Sequence, residues 1–311
     1  MGFTKTDKIW FNGKLVNWAD ANVHVLAHGL HYGTGVFEGM RCYATDEGPA
    51  VFRLDAHLDR FYQSAELYEL TIPYSKEALT EATLELIRVN RLDAAYIRPI
   101  AFFDAATLSV WTKECPVAVA IAAFPTGKYL ADADKGVRVT VSSIRKFDNS
   151  AIPAWGKACG QYINSVRAVQ EAQRKGFDEA LLLNSRGEVS EGSGENLFLV
   201  RDGGIVTNDR DASILMGVTR ASIFEIATDL GIPTSVAVIS VEDAYAADEL
   251  FFTGTAVEVT PIREVDGHVI SGGKPGPVTR RIQETFNAIV RGQRPEYRRW
   301  LAFTNQKLAV G

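Results

Sequence analysis

Residues 190–196 read SEGSGEN, and residues 197–200 continue as LFLV. The apolar run predicts a buried strand, and the small and acidic residues before it predict a loop at the mouth of that strand. Glycine at alternate positions lets the backbone approach a ligand closely or adopt a positive φ. Glu191 in such a loop is well placed to meet a positively charged ring nitrogen. A hairpin loop with solvated acids explains the stretch equally well, so a second feature has to decide between a ligand-binding loop and a solvated one.

Lys157 is that second feature, because small residues lie on both sides of it. Gly156 precedes it, Ala158 follows it, and Gly160 is close behind. Such neighbours expose a side chain and leave room for a bulky ligand. A lysine whose pKa is lowered by burial or by a nearby cation attacks carbonyl groups and forms a Schiff base. A lone lysine is more often a solvated turn residue, but Tyr162 follows here, where its hydroxyl could reach a phenolate-like oxygen beside the imine.

Three further features are suited to holding a phosphate. Residues 216–220, MGVTR, open a predicted helix, whose first N–H groups and dipole favour an anion. Residues 253–256, TGTA, close a predicted strand in a Gly-centred turn that can point successive amides at an anion. Arg60 can supply a full charge. Separately these are a helix cap, a turn and a solvated arginine, but together with Lys157 and Glu191 they fit one ligand, pyridoxal phosphate.

This ligand gives each residue a role. Lys157 forms the imine and then moves the substrate α-proton as acid and base. Glu191 pairs with the ring nitrogen and keeps it protonated, so that the ring withdraws electrons. Tyr162 hydrogen-bonds the ring hydroxyl. A strong electron sink of this kind suits transamination.

The bulk composition narrows the class of protein. The chain has 311 residues, enough for about two domains, and a net charge of −5 without a long basic run, which argues against a nucleic-acid partner. No apolar run approaches the ~20 residues of a membrane helix, and residues 1–8 contain no hydrophobic signal core. Three cysteines without CxxC spacing predict reduced thiols and a cytoplasmic protein. The histidines lack the partners of a metal site, so we expect no metal.

Hydrophobic periodicity predicts a mixed α and β chain in two parts. Residues 10–16, WFNGKLV, predict two short strands around an Asn-Gly turn. Residues 125–127, PTG, end the first part, and a half-buried strand from Val137 begins the second. Neither a Rossmann fingerprint nor a P-loop is present. The predicted helices span 57–70, 76–90, 161–175, 218–230 and 277–291, and the predicted strands span 95–103, 117–124, 137–141, 180–183, 196–200, 205–207 and 249–252.

Five segments in a fixed order carry a resemblance that covers almost the whole chain. They are HYGTGVFEGMR at 31–41, AYIRP at 95–99, KACG at 157–160, the Glu191 stretch, and GTA at 254–256. With them the chain resembles the class IV, or fold type IV, pyridoxal-phosphate aminotransferases, and most closely the bacterial branched-chain amino acid aminotransferases.

The resemblance implies a fold and an assembly. The fold class is α+β / α/β, D-amino acid aminotransferase-like, with the cofactor in a cleft between two domains. We predict a small N-terminal α/β domain at 1–124, a linker at 125–135, and a large C-terminal domain at 136–311 that carries Lys157. Family members act as homodimers or higher homo-oligomers, and Tyr32 is expected to reach the active site of the other subunit.

The resemblance also implies the residues that bind ligands. Small-molecule amino acids and 2-oxo acids are the expected partners, and the Tyr96-Ile97-Arg98 pattern is the branched-chain version of its strand. The implied contacts of pyridoxal 5′-phosphate are Arg60, Lys157, Tyr162, Glu191, Gly194, Leu215, Val218, Thr219 and Thr255. The positions that match the family's substrate site are Tyr32, Phe37, Gly39, Arg41, Tyr96, Arg98, Tyr129, Thr255 and Ala256.

The expected reaction is transfer of the amino group of leucine, isoleucine or valine to 2-oxoglutarate, and three departures leave alternatives open. Residues 105–113 read AATLSVWTK where the family usually has a Gly-rich loop, Thr126 stands where relatives often have tryptophan, and Trp155 replaces a small residue. The first alternative is an (R)-amine or D-amino acid transaminase on the same scaffold. The second is a non-catalytic binding protein that retains the fold, against which the intact Lys157 and Glu191 argue.

Overall fold

The structure is a computed structural model that describes residues 3–125, 130 and 135–305. Its strands, in chain order, are β1 Lys8–Phe11, β2 Lys14–Asn17, β3 Gly35–Phe37, β4 Met40–Tyr43, β5 Ala50–Phe52, β6 Ala95–Phe103, β7 Val117–Phe124, β8 Val137–Arg145, β9 Glu179–Leu183, β10 Val189–Gly192, β11 Asn196–Arg201, β12 Gly204–Thr207, β13 Thr234–Val236, β14 Glu249–Gly254, β15 Glu258–Val265, β16 His268–Val269 and β17 Leu301–Phe303. Its helices are α1 His28–Tyr32, α2 Leu54–Leu67, α3 Lys76–Val89, α4 Tyr162–Arg174, α5 Val218–Asp229, α6 Val241–Tyr245 and α7 Pro277–Val290.

Contacts between residues divide the chain into two compact units. The first contains Met1–Gly127, Gly156–Gly160 and Ala288–Gly311, and the second contains Lys128–Trp155 and Gln161–Asn287. Lys157 and the C-terminal segment therefore belong to the first unit, whereas the domain boundaries expected from sequence assigned both to the second.

The first unit is built on one sheet with the strand order β17-β5-β4-β6-β7-β1-β2, and β3 also pairs with β6. The predicted Asn-Gly hairpin is confirmed: β1 and β2 pair antiparallel, and Asn12 and Gly13 adopt φ values of 46° and 84°. Two left-handed residues in a row make the turn whose twist matches the flanking strands. Leu58 and Phe61 of α2, with Leu79 and Leu86 of α3, lie in the core against the sheet.

The second unit contains a nine-stranded mixed sheet with the order β10-β9-β8-β15-β14-β11-β12-β13, and β16 pairs with β15. The β8 strand runs parallel to β9 because α4 connects them as a crossover. Leu197, Leu199 and Phe252 lie in the core beside Val139 and Leu181. No helix within the described ranges has both the length and the apolar character needed to cross a membrane.

Several predicted elements are confirmed with small changes at their ends. The strands at 95–103 and 117–124 are as predicted, and Gly176, with a φ of 82°, follows the C-cap of α4 as expected. The predicted helix 57–70 instead spans Leu54–Leu67. Arg53 and Glu69 adopt φ values of 52° and 53° on either side of it, and these left-handed residues end the helical path at both ends.

Glu191 lies on a strand, so the loop predicted for it is wrong. Residues Val189–Gly192 form β10, which pairs antiparallel with β9 through an irregular register between Val189 and Gly192. Only Ser193, Gly194 and Glu195 connect β10 to β11. A local register shift of this kind redirects side chains, as β-bulges do beside functional sites.

Candidate active site

The segment that contains Lys157 is fixed in the first unit by its backbone. Its N–H donates to Ser64 Oγ at 2.9 Å, and its carbonyl accepts from the N–H of Phe37 at 3.1 Å. The half-buried side chain places Nζ 5.0 Å from the centroid of the Phe37 ring. The backbone of Lys157 is therefore anchored to β3 and α2 together.

Close packing, rather than exposure of the lysine, explains Gly156 before Lys157 and Gly33 beside Gly160. A Cβ on Gly156 would lie 2.7 Å from Leu67 Cδ2, and a Cβ on Gly33 would lie 2.8 Å from Gly160 Cα. Both distances are shorter than side-chain contacts allow. Gly156 thus lets the chain pack against α2, and Gly33 lets the end of α1 pack against Gly160.

Burial, followed by the positive charge of Arg60, lowers the pKa of Lys157 to about 8 from the ordinary 10.5. A charged ammonium is disfavoured where water is excluded and where another cation is near. A larger fraction of the amine is therefore neutral near neutral pH than in a solvated lysine. This is the nucleophilic form that Schiff-base chemistry requires.

A buried charge cluster that the sequence interpretation missed holds Arg60. Arg60 donates from Nε to Glu38 Oε1 at 2.6 Å and from Nη2 to Glu38 Oε2 at 2.9 Å. His57 Nδ1 is 2.8 Å from Glu38 Oε2, and Glu38 is fully buried. The only sequence signal for Glu38 was its place in the quoted 31–41 segment.

The pKa directions define the charges of this cluster. Burial alone would raise the pKa of Glu38, but the charge of Arg60 and the bond from His57 outweigh it and lower the pKa well below the usual range. Burial also lowers the pKa of His57. The cluster therefore consists of a carboxylate, a guanidinium and a neutral imidazole that donates through Nδ1.

The predicted substrate residues of the first unit form a second group around Arg98. Arg98 Nη2 donates to Tyr96 Oη at 3.2 Å, and its guanidinium lies 4.8 Å from the Phe37 ring centroid. Gly39 is required there, because a Cβ would lie 2.1 Å from Tyr96 Oη. Arg41 pairs with Tyr96 across β4 and β6. The structure thus brings all five residues together.

Tyr32 is half exposed and turned toward the segment that departs from the family pattern. Its hydroxyl donates to the carbonyl of Leu108 at 2.8 Å. Val110 and Trp111 follow in the same segment with 83% and 70% of their surface exposed. Tyr129, and Thr126 before it, lie outside the described residues.

Glu191 is held by three donors in the second unit. Lys146 Nζ lies 2.6 Å from Oε1. Asn196 Nδ2 donates to Oε2 at 3.1 Å, and the N–H of Leu215 donates to Oε2 at 3.0 Å. Asn196 Nδ2 is also 2.8 Å from the carbonyl of Leu215, so it ties the two segments together. Sequence reasoning found Leu215 through the resemblance and missed Lys146 and Asn196.

The two glycines of the SEGSGEN stretch have different surroundings, and neither has a positive φ. A Cβ on Gly192 would lie 2.5 Å from Glu195 Oε2, whereas one on Gly194 would meet nothing within 4 Å. Glu195 shapes the turn, because its Oε2 accepts from the N–H of Gly194 at 3.0 Å. The sequence suggested a positive φ as one reason for these glycines, and that reason is wrong. Gly192 is needed because the side chain of Glu195 approaches its backbone closely.

The remaining predicted ligand positions lie near helix starts and turns of the second unit. Val218 and Thr219 form the first turn of α5, and no side chain caps that turn. Thr255 and Ala256 follow β14 in a turn, and a Cβ on Gly254 would be 3.4 Å from the carbonyl oxygen of Gly194. Tyr162, half-buried, is the first residue of α4.

Metal-binding side chains do not gather within the described ranges: no three His, Cys, Asp or Glu residues there are placed to share a metal ion.

Comparison with known proteins gives one family. Residues 35–265 match the family described as Amino-transferase class IV. The chain is 44% identical over 305 residues to the branched-chain-amino-acid aminotransferase of Escherichia coli (strain K12), covering 97% of this chain and 99% of that one.

Solved structures of branched-chain aminotransferases are also similar to this chain. The branched-chain amino acid aminotransferase crystal structure from that species has a TM-score of 0.95 at 44% identity, covering 97% of this chain and 100% of that one. The branched-chain aminotransferase from Thermoproteus uzoniensis with norvaline has a TM-score of 0.93 at 44% identity, covering 96% of this chain and 99% of that one. The PLP-form of the Thermobaculum terrenum enzyme has a TM-score of 0.91 at 32% identity, covering 97% of this chain and 99% of that one.

Proposed function

Because the chain belongs to the class IV aminotransferase family, we propose that it moves the amino group of branched-chain L-amino acids to 2-oxoglutarate. It is a branched-chain-amino-acid aminotransferase that uses pyridoxal 5′-phosphate. The observation that carries this function is the amine of Lys157, with its lowered pKa, beside the Arg98, Tyr96 and Phe37 group of the first unit.

The described residues fit the cofactor by the chemistry of their side chains. Lys157 offers an amine whose lowered pKa makes its neutral, nucleophilic form more accessible to the aldehyde than in a solvated lysine. Glu191 offers a carboxylate for the ring nitrogen, and the uncapped first turn of α5 offers N–H groups for a phosphate. When bound, pyridoxal phosphate supplies an electron sink that stabilises the carbanion formed when the substrate loses its α-proton.

In the first unit, Lys157 would hold the aldehyde carbon of the cofactor and then move the substrate α-proton as acid and base. Arg60 would bind phosphate oxygens with the guanidinium that Glu38 orients. Glu38 does not touch the ligand in this proposal and acts by keeping Arg60 in one position.

In the second unit, Glu191 would accept the ring N–H, and Tyr162 would hydrogen-bond the ring hydroxyl. Val218, Thr219 and Thr255 would complete the phosphate site with amides and hydroxyls. Leu215 and Gly194 would contact the ring, and the open side of Gly194 supports this role.

For the substrate, the rings of Phe37 and Tyr96 give aromatic walls that suit a branched aliphatic side chain. Arg98 gives a cation for an acidic group. Gly39, Arg41, Ala256 and Tyr129 complete the proposed substrate site, the last from outside the described residues.

The proposed active form is a homodimer to which each subunit contributes Tyr32. An apolar patch on the first unit supports a second copy of the chain as partner: Val25, Leu26 and Leu30 expose 67%, 45% and 64% of their surface. Light scattering after gel filtration tests this proposal, since a Leu30→Glu variant that stays as dimeric as the wild type would count against it.

The cytoplasm is the proposed location, because Cys42, Cys115 and Cys159 are free thiols.

The decisive experiment is a substrate panel of leucine, phenylalanine, D-alanine and (R)-1-phenylethylamine with 2-oxoglutarate as acceptor. Leucine is expected to give the highest kcat/KM, with ping-pong kinetics. Faster turnover of D-alanine or the (R)-amine would replace the proposed substrate class. Lys157→Ala is expected to abolish turnover and the visible absorption band, and a wild-type protein without that band would point to a binding protein.

A further inference from the structure

Lys146 makes an enclosed ion pair with Glu191. Its Nζ is 2.6 Å from Oε1, and the two side chains expose only 13% and 7% of their surface. Pairs on the protein surface contribute little, because water screens both charges. Where both partners are nearly buried, the attraction is stronger and the charge of one controls the state of the other.

Glu191 has one acceptor position left for a ligand. Oε2 accepts from both Asn196 Nδ2 and the N–H of Leu215, whereas Oε1 has only Lys146 among the residues that the structure describes. A carboxylate offers about four lone-pair positions. The remaining position is therefore on Oε1, so a ring N–H that binds Glu191 shares this oxygen with Lys146.

Sharing Oε1 gives Lys146 control over a proton. In a hydrogen bond between a pyridine nitrogen and a carboxyl group, the proton can reside on either partner. A cation in contact with the carboxylate oxygen stabilises the anion, and its repulsion of the more distant ring charge is weaker, because Coulomb energy falls with distance. The lysine charge thus favours a carboxylate facing a protonated ring.

A second cation, Arg220, acts on Glu191 only from a distance. Its charge interacts with Glu191 through space, but its Nη2 donates to the carbonyl of Asn208 at 2.6 Å. Asn196 and Leu215 orient Oε2 without carrying charge. Lys146 is thus the charged group in direct contact with the carboxylate.

We propose, building on the function proposed above, that Lys146 is a positioning residue that keeps the shared proton on the cofactor ring nitrogen and off Glu191. It acts through Glu191 and does not touch the substrate. Its effect is to preserve the electron-withdrawing form of the ring.

The test uses holoenzymes loaded with pyridoxal 5′-phosphate that carries ¹⁵N in the ring. Lys146→Met removes the charge and keeps much of the side-chain length, and Lys146→Arg keeps the charge. Lys175→Met is the matched control, because Lys175 also pairs with a glutamate, Glu171 at 2.7 Å, but its own side chain is 46% exposed. The ¹⁵N resonance of the resting enzymes is compared at neutral pH.

The wild type, Lys146→Arg and Lys175→Met are expected to show a pyridinium resonance, and Lys146→Met a resonance shifted toward neutral pyridine. An unshifted resonance in Lys146→Met would overturn the proposal. If Lys146→Met takes up no cofactor, Lys146→Arg decides, and a shift toward neutral pyridine in that charge-retaining variant would also overturn it.

The outcome is separate from that of the proposed function. Inactivity of the wild type toward branched-chain amino acids would reject the substrate class and leave the ring-nitrogen comparison valid. Conversely, full activity toward leucine with no ¹⁵N difference between wild type and Lys146→Met would support the function and reject the role of Lys146.

Discussion

At the scale of single residues, the amine of Lys157 sets the pH at which the protein takes up its cofactor. Only the neutral amine attacks an aldehyde, and burial with the charge of Arg60 lowers the pKa of Lys157 to about 8. We predict that the rate of pyridoxal phosphate capture by the apoprotein rises with pH and levels off above about 8. Stopped-flow absorbance measures this rate. A rise that continues to the ordinary lysine pKa of 10.5 would contradict the prediction.

Glu38 is the residue whose loss should be most damaging away from the reacting atoms. Glu38→Gln leaves the buried guanidinium of Arg60 without its counter-charge, and breaking such a pair costs about 3–5 kcal/mol of unfolding free energy. Urea unfolding of the apoprotein measures this loss. Glu81→Gln is the control, because its partner Arg88 and Glu81 itself are exposed, and we expect a change below about 1 kcal/mol. Equal effects of the two variants would show that Arg60 does not depend on Glu38.

At the scale of elements, the start of α5 is built around Asn196. A Cβ on Gly217, the N-cap of α5, would lie 2.1 Å from Asn196 Oδ1. Gly217→Ala should therefore displace Asn196 and loosen its bonds to Glu191 and Leu215, which lowers apoprotein stability by about 1–3 kcal/mol. Thermal unfolding measures this loss.

Gly194→Ala is the matched control for Gly217→Ala in the apoprotein. A Cβ on Gly194 meets nothing within 4 Å, and its φ is not positive. It should leave apoprotein stability almost unchanged while weakening binding of pyridoxal phosphate. A large loss of apoprotein stability in Gly194→Ala would show that the turn is tighter than its geometry indicates.

Elements were easier to predict from sequence than the contacts between them. The strands at 95–103 and 117–124 follow from local alternation and turn residues, which depend on neighbours in the chain. The β10 strand was missed, because small and acidic residues have low strand propensity and its irregular register depends on pairing with β9. Lys146 was missed as well, because its contact with Glu191 spans 45 residues and leaves no local pattern.

At the scale of the whole molecule, the C-terminal segment completes the first unit. The β17 strand pairs antiparallel with β5, and the N–H of Arg53 donates to the carbonyl of Trp300 at 2.6 Å. This segment is too short to show a helical or strand periodicity in the sequence, since β17 has only three residues. Tertiary pairing with a strand about 250 positions earlier fixes its structure.

This pairing predicts that the last strand contributes to the stability of a unit formed mainly by the start of the chain. Phe303 is 4% exposed on β17, and Phe303→Ala should lower the unfolding free energy by about 3–5 kcal/mol. Phe3→Ala is the control. Phe3 is 60% exposed, so its replacement should lower the unfolding free energy much less. Urea unfolding followed by tryptophan fluorescence compares the two variants, since Trp300 lies beside β17 and reports its detachment. Equal losses would mean that β17 adds little to the stability of the first unit, although it pairs with β5.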